Sequence, residues 1–523
     1  MANERDEVIV IGAGVGGLSC AALLAAQGLN VTLVEAAAKP GGKMRQLRCG
    51  EAMVDAGPTV FTMRPVFEAI FDACGARLDD EVRLTPATVL ARHAWGDERL
   101  DLFADRQASE AAIGDFAGAA AARGYAGFCR EAERLYTALE QPFIWAGQPS
   151  QLGLAWAMLR ANAADLFSRR PFQSMWRALG DYFPDPRLRQ LFGRYATYCG
   201  ADPWQAPATL MLIAHVEASG VWLIEGGMAA LSEALAGLIA RHGGTLRYNA
   251  PVREILVDGQ GVAGVLLESG ERLSARRVVC NTDPAALAAG RLGAGVRRAA
   301  PAMPPPLRSL SALVWTTHSR TSGFPLAHHN VFFSPDYAAE FQAIAAGRVP
   351  ADPTIYICAA DRASDGAAAA APEGPERLQI LVNAPALGDA RALSSWEIDQ
   401  CQARMIACLA RSGLSLDLPA PATVLTGPEG FEALFPSTGG ALYGRASHGS
   451  AAAFRRPGAR TPIPGLYLAG GATHPGPGVP MAALSGRLAC ATLLQDRAST
   501  ARSHPVAMPG GISTRRATTA ASG

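Results

Sequence analysis

Apolar residues change their spacing several times along this chain. Val8 to Ile11 is an unbroken β-branched run ending at Gly12, the pattern of a strand buried on both faces. Leu18 to Ala26 is rich in Leu and Ala without Pro or Gly, which predicts a helix, and Gly28 ends it. Val31 to Glu35 is the next buried run, so the opening reads as a strand–helix–strand unit. Helices are predicted over much of Ala104 to Leu139. From Pro142 to Trp222 aromatic residues and Met cluster, and Arg160, Arg169, Arg170, Arg177, Arg187, Arg189 and Arg194 dominate the charge. That composition predicts an inserted, mostly helical region. Alternation of apolar and polar residues returns from Gly244 to Asn281 around glycine-rich turns, predicting short strands. Further strands are predicted at Leu310 to Thr316, Leu378 to Asn383 and Leu466 to Ala469. An exposed connection is expected from Asp365, and a glycine-rich loop after Ala469 opens a terminal helix. The Ser-, Thr-, Ala- and Pro-rich residues 497–523 have nothing to bury and are expected to form a disordered tail.

Composition narrows the classes. A chain of 523 residues needs two joined domains or one large α/β domain with an insertion. Its formal net charge of +1 supplies no global field for a polyanion, so no nucleic-acid partner is expected. The 10 cysteines are scattered without a CxxC pair, which argues against a zinc site or a disulfide framework; no metal is expected, and a reducing compartment is. The first strand begins too soon for a signal peptide, and no apolar run reaches the roughly eighteen residues of a membrane span. A cytoplasmic location is therefore expected.

Chemistry enters with the glycines. Gly12, Gly14 and Gly17 form G-x-G-x-x-G between strand and helix. The first allows the tight turn, the second lets a pyrophosphate approach the backbone, and the third permits close helix–strand packing. The phosphate then meets the positive end of the helix. Glu35, at the end of the second strand, falls where the fingerprint places a carboxylate for the ribose hydroxyls. A second glycine pair follows directly in "KPGGKMR", Lys39 to Arg45.

This arrangement resembles the two-dinucleotide-binding-domain flavoproteins. The resemblance implies an α/β fold: a Rossmann-like FAD domain, a mixed-sheet substrate domain and the inserted helical region. It also implies that Gly41, Gly42 and Lys43 line FAD. In "DAGPTVF", Gly57, Pro58 and Thr59 would lie beside the flavin; in "NAPVREI", the Val252 backbone would meet adenine. In "LYLAGGATHPGPGVPMAALSG", Gly470, Gly471, Thr473, Val479, Pro480 and Met481 would approach the ribityl chain and pyrimidine edge. Related flavoproteins often carry an acidic residue after the last glycine pair where this chain has Ala472; Thr473 or backbone amides would take over. On this reading residues 1–80, 244–290 and 446–496 build the FAD domain, and 81–243 and 291–445 the substrate domain.

"DAGPTV", "LIEGGMAALSEAL", "FPSTGGALYGRA" and "FRRPGARTPIPGLYLAGGATHPGPGVPMA" are similar to the bacterial carotenoid desaturases of the phytoene desaturase superfamily. The segment "AGPTVFTMRPVFEAIFDACGARLDDEVRL" is most similar to the branch acting on 1-hydroxy carotenoids. The resemblance implies hydride transfer from a C40 carotenoid to flavin, with the second hydrogen leaving as a proton. His474, Asp55 and Glu225 are the candidate acid–base residues. An insoluble substrate implies peripheral membrane contact, for which the arginine- and aromatic-rich residues 142–222 are the candidate, with Trp145, Trp156, Phe172, Trp176 and Trp222 as channel candidates. The electron acceptor is left open. So are phytoene desaturation, carotenoid isomerisation, amine oxidation and a non-enzymatic isoprenoid carrier as alternative activities.

Overall fold

The computed structural model describes residues 7–147, 173–362 and 372–503. Strand Glu7–Ile11 is the middle of a five-stranded parallel sheet, paired with Asn30–Val34 on one side and Arg277–Cys280 on the other. Thr245–Arg247 and Leu466–Leu468 form its edges, so strands from both ends of the chain share one sheet. Both faces are covered, which is why Val8 and Val10 are wholly buried and their neighbours nearly so.

Helix Val15–Ala26 begins before the Leu- and Ala-rich stretch that predicts it. Its first turn holds Gly16 and Gly17, poor helix formers kept there by packing: a Cβ on Gly17 would lie 2.1 Å from the Gly12 carbonyl oxygen. Helix Val479–Ser503 runs beside it, and a Cβ on Gly486 would lie 2.1 Å from the Gly16 carbonyl oxygen. This terminal helix corrects the expected tail, since residues 497–503 remain helical. Polar composition does not end a helix whose earlier turns are anchored, here by Asp496 accepting from Tyr467 Oη at 3.1 Å and pairing with Arg460. Residues 504–523 lie outside the described residues.

The second layer is a mixed seven-stranded sheet. Its order is Thr423–Thr426, Ser311–Ser319, Glu376–Ala384, Ile355–Ala359, His329–Phe332, Val89–Trp95 and Glu98–Phe103. All neighbours pair antiparallel except His329–Phe332 with Val89–Trp95. Ile355, Ile357, Leu378, Ile380 and Trp315 pack on Cys401, Met405 and Leu409 of helix Ser395–Arg411. Alternation sends Tyr356, Cys358 and Gln379 to the opposite face, against the loop Gly57–Thr59.

Arg106–Ala117 and Ala119–Leu139 are the expected helices, broken at Gly118 with φ +87°. The described part of the inserted region is a set of short helices, Met175–Leu179, Pro186–Gly193 and Leu212–Ala218, linked by one-turn segments around Phe128, Phe183 and Phe192. Arg160, Arg169, Arg170, Trp156 and Phe172 lie outside the described residues, as does most of the alanine-rich connection after Asp365.

Candidate functional site

The two glycine groups of the opening sequence touch. Gly14 bridges to Gly41, the Gly41 N–H donates to the Ala13 carbonyl at 2.8 Å, and a Cβ on Gly42 would lie 3.0 Å from Gly14 Cα. Gly12 takes φ +94°, and Gly14 is the N-cap of Val15–Ala26 with no side chain capping it and no acid in the first turn. The first-turn N–H groups of that helix are thus left as a positive end without a side-chain partner. Glu35 fixes the turn from the next strand, accepting from Ala13 N–H at 2.6 Å and Ala37 N–H at 2.8 Å. The Glu35 carbonyl accepts from Ala250 N–H at 2.8 Å, which places Val252 beside the same strand end.

Asn281 was not legible as a site residue, yet it joins both ends of the chain. Its Nδ2 donates to the Gly12 carbonyl at 3.2 Å. A Cβ on Gly14, Gly17 or Gly470 would lie about 3 Å from its side chain, at 2.9, 3.1 and 2.8 Å respectively. Its signal in the sequence is only its position, the first residue after a buried strand of the parallel sheet. Gly470 has φ +110° and donates its N–H to Ser485 Oγ at 3.2 Å, so the closing loop sits on the opening turn. Gly471 has no such crowding, its nearest neighbour to a Cβ being Ala482 at 3.7 Å. Val479, Pro480 and Met481 form the first turn of the terminal helix beside this loop. Backbone exposed where a Cβ would intrude, an uncapped helix N-terminus and a carboxylate at the adjoining strand end together fit the diphosphate and ribose of a dinucleotide.

The loop Asp55–Thr59 closes over this turn. A Cβ on Gly57 would lie 1.7 Å from the Lys43 carbonyl oxygen, and the Gly57 carbonyl accepts from Gln379 Nε2 at 2.8 Å. Pro58 follows, and Thr59 Oγ1 bonds Tyr356 Oη at 2.6 Å. The Lys43 side chain does not turn to the glycine cradle. Its Nζ donates to the Leu442 carbonyl at 2.6 Å and stands 4.9 Å from the Phe435 ring centroid, tying the turn to the segment Phe435–Tyr443. Burial lowers its pKa, against the attraction of Asp283.

The candidate acid–base residues separate. Glu225 is exposed and pairs with exposed Arg83 at 3.6 Å, just past the strand Trp222–Ile224. Asp55 accepts from Met228 N–H at 2.9 Å and Gln46 Nε2 at 3.0 Å, so it anchors the start of helix Met228–Arg241. Burial raises its pKa and those two bonds lower it. His474 is 3% exposed, with Nε2 donating to the Ala146 carbonyl at 2.9 Å, Nδ1 unpartnered and Phe143 edge-on at 5.0 Å. Burial lowers its pKa and keeps it neutral. Thr473 faces inward as well, donating to the Gly470 carbonyl at 2.6 Å and bonding Ser485 Oγ at 2.5 Å, so it braces the loop rather than offering a hydroxyl to a ligand.

Of the channel candidates, Trp176 stacks on Trp204 with centroids 4.4 Å apart, Trp222 meets Phe61 edge-on at 6.4 Å, and Trp145 lies under Arg487. The first is a packing contact of the helical region, and the other two lie against the core of the parallel-sheet domain.

A family model described as flavin containing amine oxidoreductase matches residues 15–322 and 434–494. A hydroxyneurosporene desaturase of Rubrivivax gelatinosus is 52% identical over 520 residues, spanning 99% of this chain and 98% of its own. A hydroxyneurosporene desaturase of Cereibacter sphaeroides is 48% identical over 497 residues, spanning 95% and 99%. An oxidoreductase of Methanosarcina mazei shares the fold with a TM-score of 0.58 at 15% identity, over 92% of this chain and 99% of its own.

Proposed function

This chain belongs to the flavin containing amine oxidoreductases, and on that premise we propose that it is an FAD-dependent carotenoid desaturase that introduces the 3,4 double bond of a 1-hydroxy carotenoid. The observation that carries the cofactor is the meeting of both chain ends at a turn where Gly14, Gly42 and Gly470 leave no room for side chains. The observation that carries the substrate class is the end-to-end similarity to the hydroxyneurosporene desaturases.

When bound, the flavin supplies the hydride acceptor. The chain's own part is to hold and to exclude. The turn Gly12–Gly17 and its helix would hold the diphosphate, Glu35 the adenosine ribose, and Val252 would border the adenine. Gly41, Gly42, Gly470 and the first turn at Val479, Pro480 and Met481 leave backbone along the rest of the cofactor. Gly57, Pro58 and Thr59 form the wall toward the substrate, braced by Gln379 and Tyr356 of the seven-stranded sheet.

The test is to incubate purified protein carrying its flavin with 1-hydroxyneurosporene and with phytoene, then resolve the products. A 3,4-desaturated 1-hydroxy product is expected. Conversion of phytoene alone would replace this reading with the neighbouring one, and protein that never acquires flavin absorbance would return the carrier alternative.

The substrate's insolubility adds peripheral membrane contact to the proposal. No helix among the described residues is long and apolar enough to cross a membrane; within 142–222, Arg187 pairs with Glu98 and Asp185 and Arg194 is half-buried beside Tyr198, so the support for this contact is the composition of the stretch alone. Co-sedimentation with anionic but not neutral vesicles is the expected result.

A further inference from the structure

Two histidines and a cysteine that no motif connects come together in the seven-stranded sheet. His329 and Cys358 are direct cross-strand partners. His328, just before that strand, sets its ring across His329 at 85° with centroids 4.7 Å apart. One donor atom from each of the three lies within 4.8 Å of the other two, and the residues are 9%, 3% and 4% exposed for His328, His329 and Cys358.

Each ring is oriented through its far nitrogen. His328 Nδ1 is 3.1 Å from the Arg362 carbonyl, which can only accept, so Nδ1 carries the proton and Nε2 keeps its lone pair. That Nε2 lies 3.6 Å from Cys358 Sγ. His329 Nδ1 lies 2.8 Å from Tyr356 Oη, whose hydroxyl also meets Thr59 Oγ1. His329 Nε2 is buried without any partner. A buried N–H with no acceptor costs more than a bare lone pair, so the proton belongs on Nδ1, donated to Tyr356, and Nε2 is free to bind. A hydroxyl or carbonyl on the far nitrogen, with the near nitrogens converging, is the outer support that metal-ligating histidines carry.

We propose that His328 Nε2, His329 Nε2 and Cys358 Sγ bind a soft d10 cation, copper(I) in preference to zinc. Two imidazoles and a thiolate are soft donors suited to either ion. Zinc in a closed site takes four ligands, and this cluster offers three. Charge points the same way: a monovalent ion and one thiolate leave the buried site neutral, whereas a divalent ion leaves a positive charge near the Arg194 guanidinium, which already opposes charge on His329. Binding exchanges the thiol proton for the metal, Cys358–SH plus the cation giving the metal thiolate and a proton released to solvent, with no change of oxidation state. The occupied site would clip the strands His329–Phe332 and Ile355–Ala359 beneath the Thr59–Tyr356 contact.

The scattered cysteine spacing argued against a zinc site and any metal, and it misses this cluster because its ligands are assembled by strand register. The experiment uses the flavin-loaded full chain, treated with excess copper(I) under anaerobic reducing conditions or with zinc, desalted, and assayed for metal per flavin. Wild type is expected to retain about one equivalent of copper and less zinc. Cys358→Ser and His329→Asn should each retain none above background; the asparagine amide can still donate to Tyr356 while Nε2 is gone. His329→Gln, whose amide offers only a hard oxygen in place of Nε2, should likewise retain none above background. Unfolding temperature is read alongside, with copper raising it in wild type and leaving the folded variants unmoved. Wild type that retains neither metal, or variants that retain as much as wild type, would overturn the proposal, and one tightly held equivalent of zinc in place of copper would overturn its choice of ion. None of these readouts depends on desaturation.

Discussion

At Gly57 the backbone of one loop lies against the backbone of another with no room for a methyl group. The 1.7 Å that would separate a Cβ from the Lys43 carbonyl oxygen cannot be relieved by a rotamer change. Gly57→Ala is therefore expected to cost about 2–3 kcal/mol and to lower flavin content, read from thermal unfolding and flavin absorbance. Gly14→Val should abolish flavin binding while the protein stays folded, because its branched side chain would enter the space between Asn281 and the diphosphate; stoichiometric flavin in that variant would contradict the placement of the cradle. His474 is a different case. Both of its ring nitrogens are buried, one committed to the Ala146 carbonyl. His474→Ala should lower stability by about 1–2 kcal/mol and leave turnover per bound flavin within about threefold. A collapse of turnover with flavin and substrate still bound would restore it to the chemistry.

Between elements, the contact that unites the molecule is helix on helix. Val15–Ala26 and Val479–Ser503 come close because Gly16 faces Gly486, where a Cβ would lie 2.1 Å from the opposing carbonyl oxygen. Gly486→Val should push the terminal helix away and carry with it Gly470, which is tied to Ser485 of that helix, so that the closing loop leaves Asn281 and the opening turn. The expected result is a lower unfolding temperature with a larger fractional loss of flavin, measured on the same sample. How legible each element was follows from the range of the forces that make it. Val8 to Ile11 and Leu18 to Ala26 were readable because burial and propensity are local, and Gly12, Gly14 and Glu35 because the fingerprint has fixed spacing. Asn281, the inward turn of Thr473 and the turning of Lys43 toward Leu442 depend on partners more than a hundred residues away or on which face of a loop is buried. The exposure of Glu225 just past Trp222–Ile224 depends in the same way on the surrounding fold, not on its local sequence.

For the molecule as a whole, the buried ionisable groups set the response to acid. Burial pushes His93 down to about 3 and lowers His328, His329 and His474, so all four fold as neutral rings. Their unfolded forms take up protons below about pH 6.5, where the unfolded chain then binds more protons than the native one and stability falls as pH falls. Glu340 acts in the opposite sense. Burial raises it to about 7, so the native state holds its proton while the unfolded chain does not, and it contributes stability that is lost as pH rises from about 4.5 to about 7. His215 and His448, also lowered by burial, act with these histidines, and Asp55, Glu217 and Asp283, raised by burial, act with Glu340; the histidine share of the acid response begins near about pH 6.5 and the carboxyls oppose it. His93 is the place to measure a single share of it. Its ring stacks on Phe333 at 6.0 Å and makes one bond, from Nδ1 to the Leu100 carbonyl at 3.2 Å, so Phe fits the same space without titrating. Between about pH 7.5 and about pH 5, His93→Phe should lose about 2 kcal/mol less stability than wild type, the share of one proton taken up only by the unfolded chain. Denaturant unfolding of both proteins at the two pH values checks this, and parallel losses in the two would mean that His93 is protonated in the native sheet.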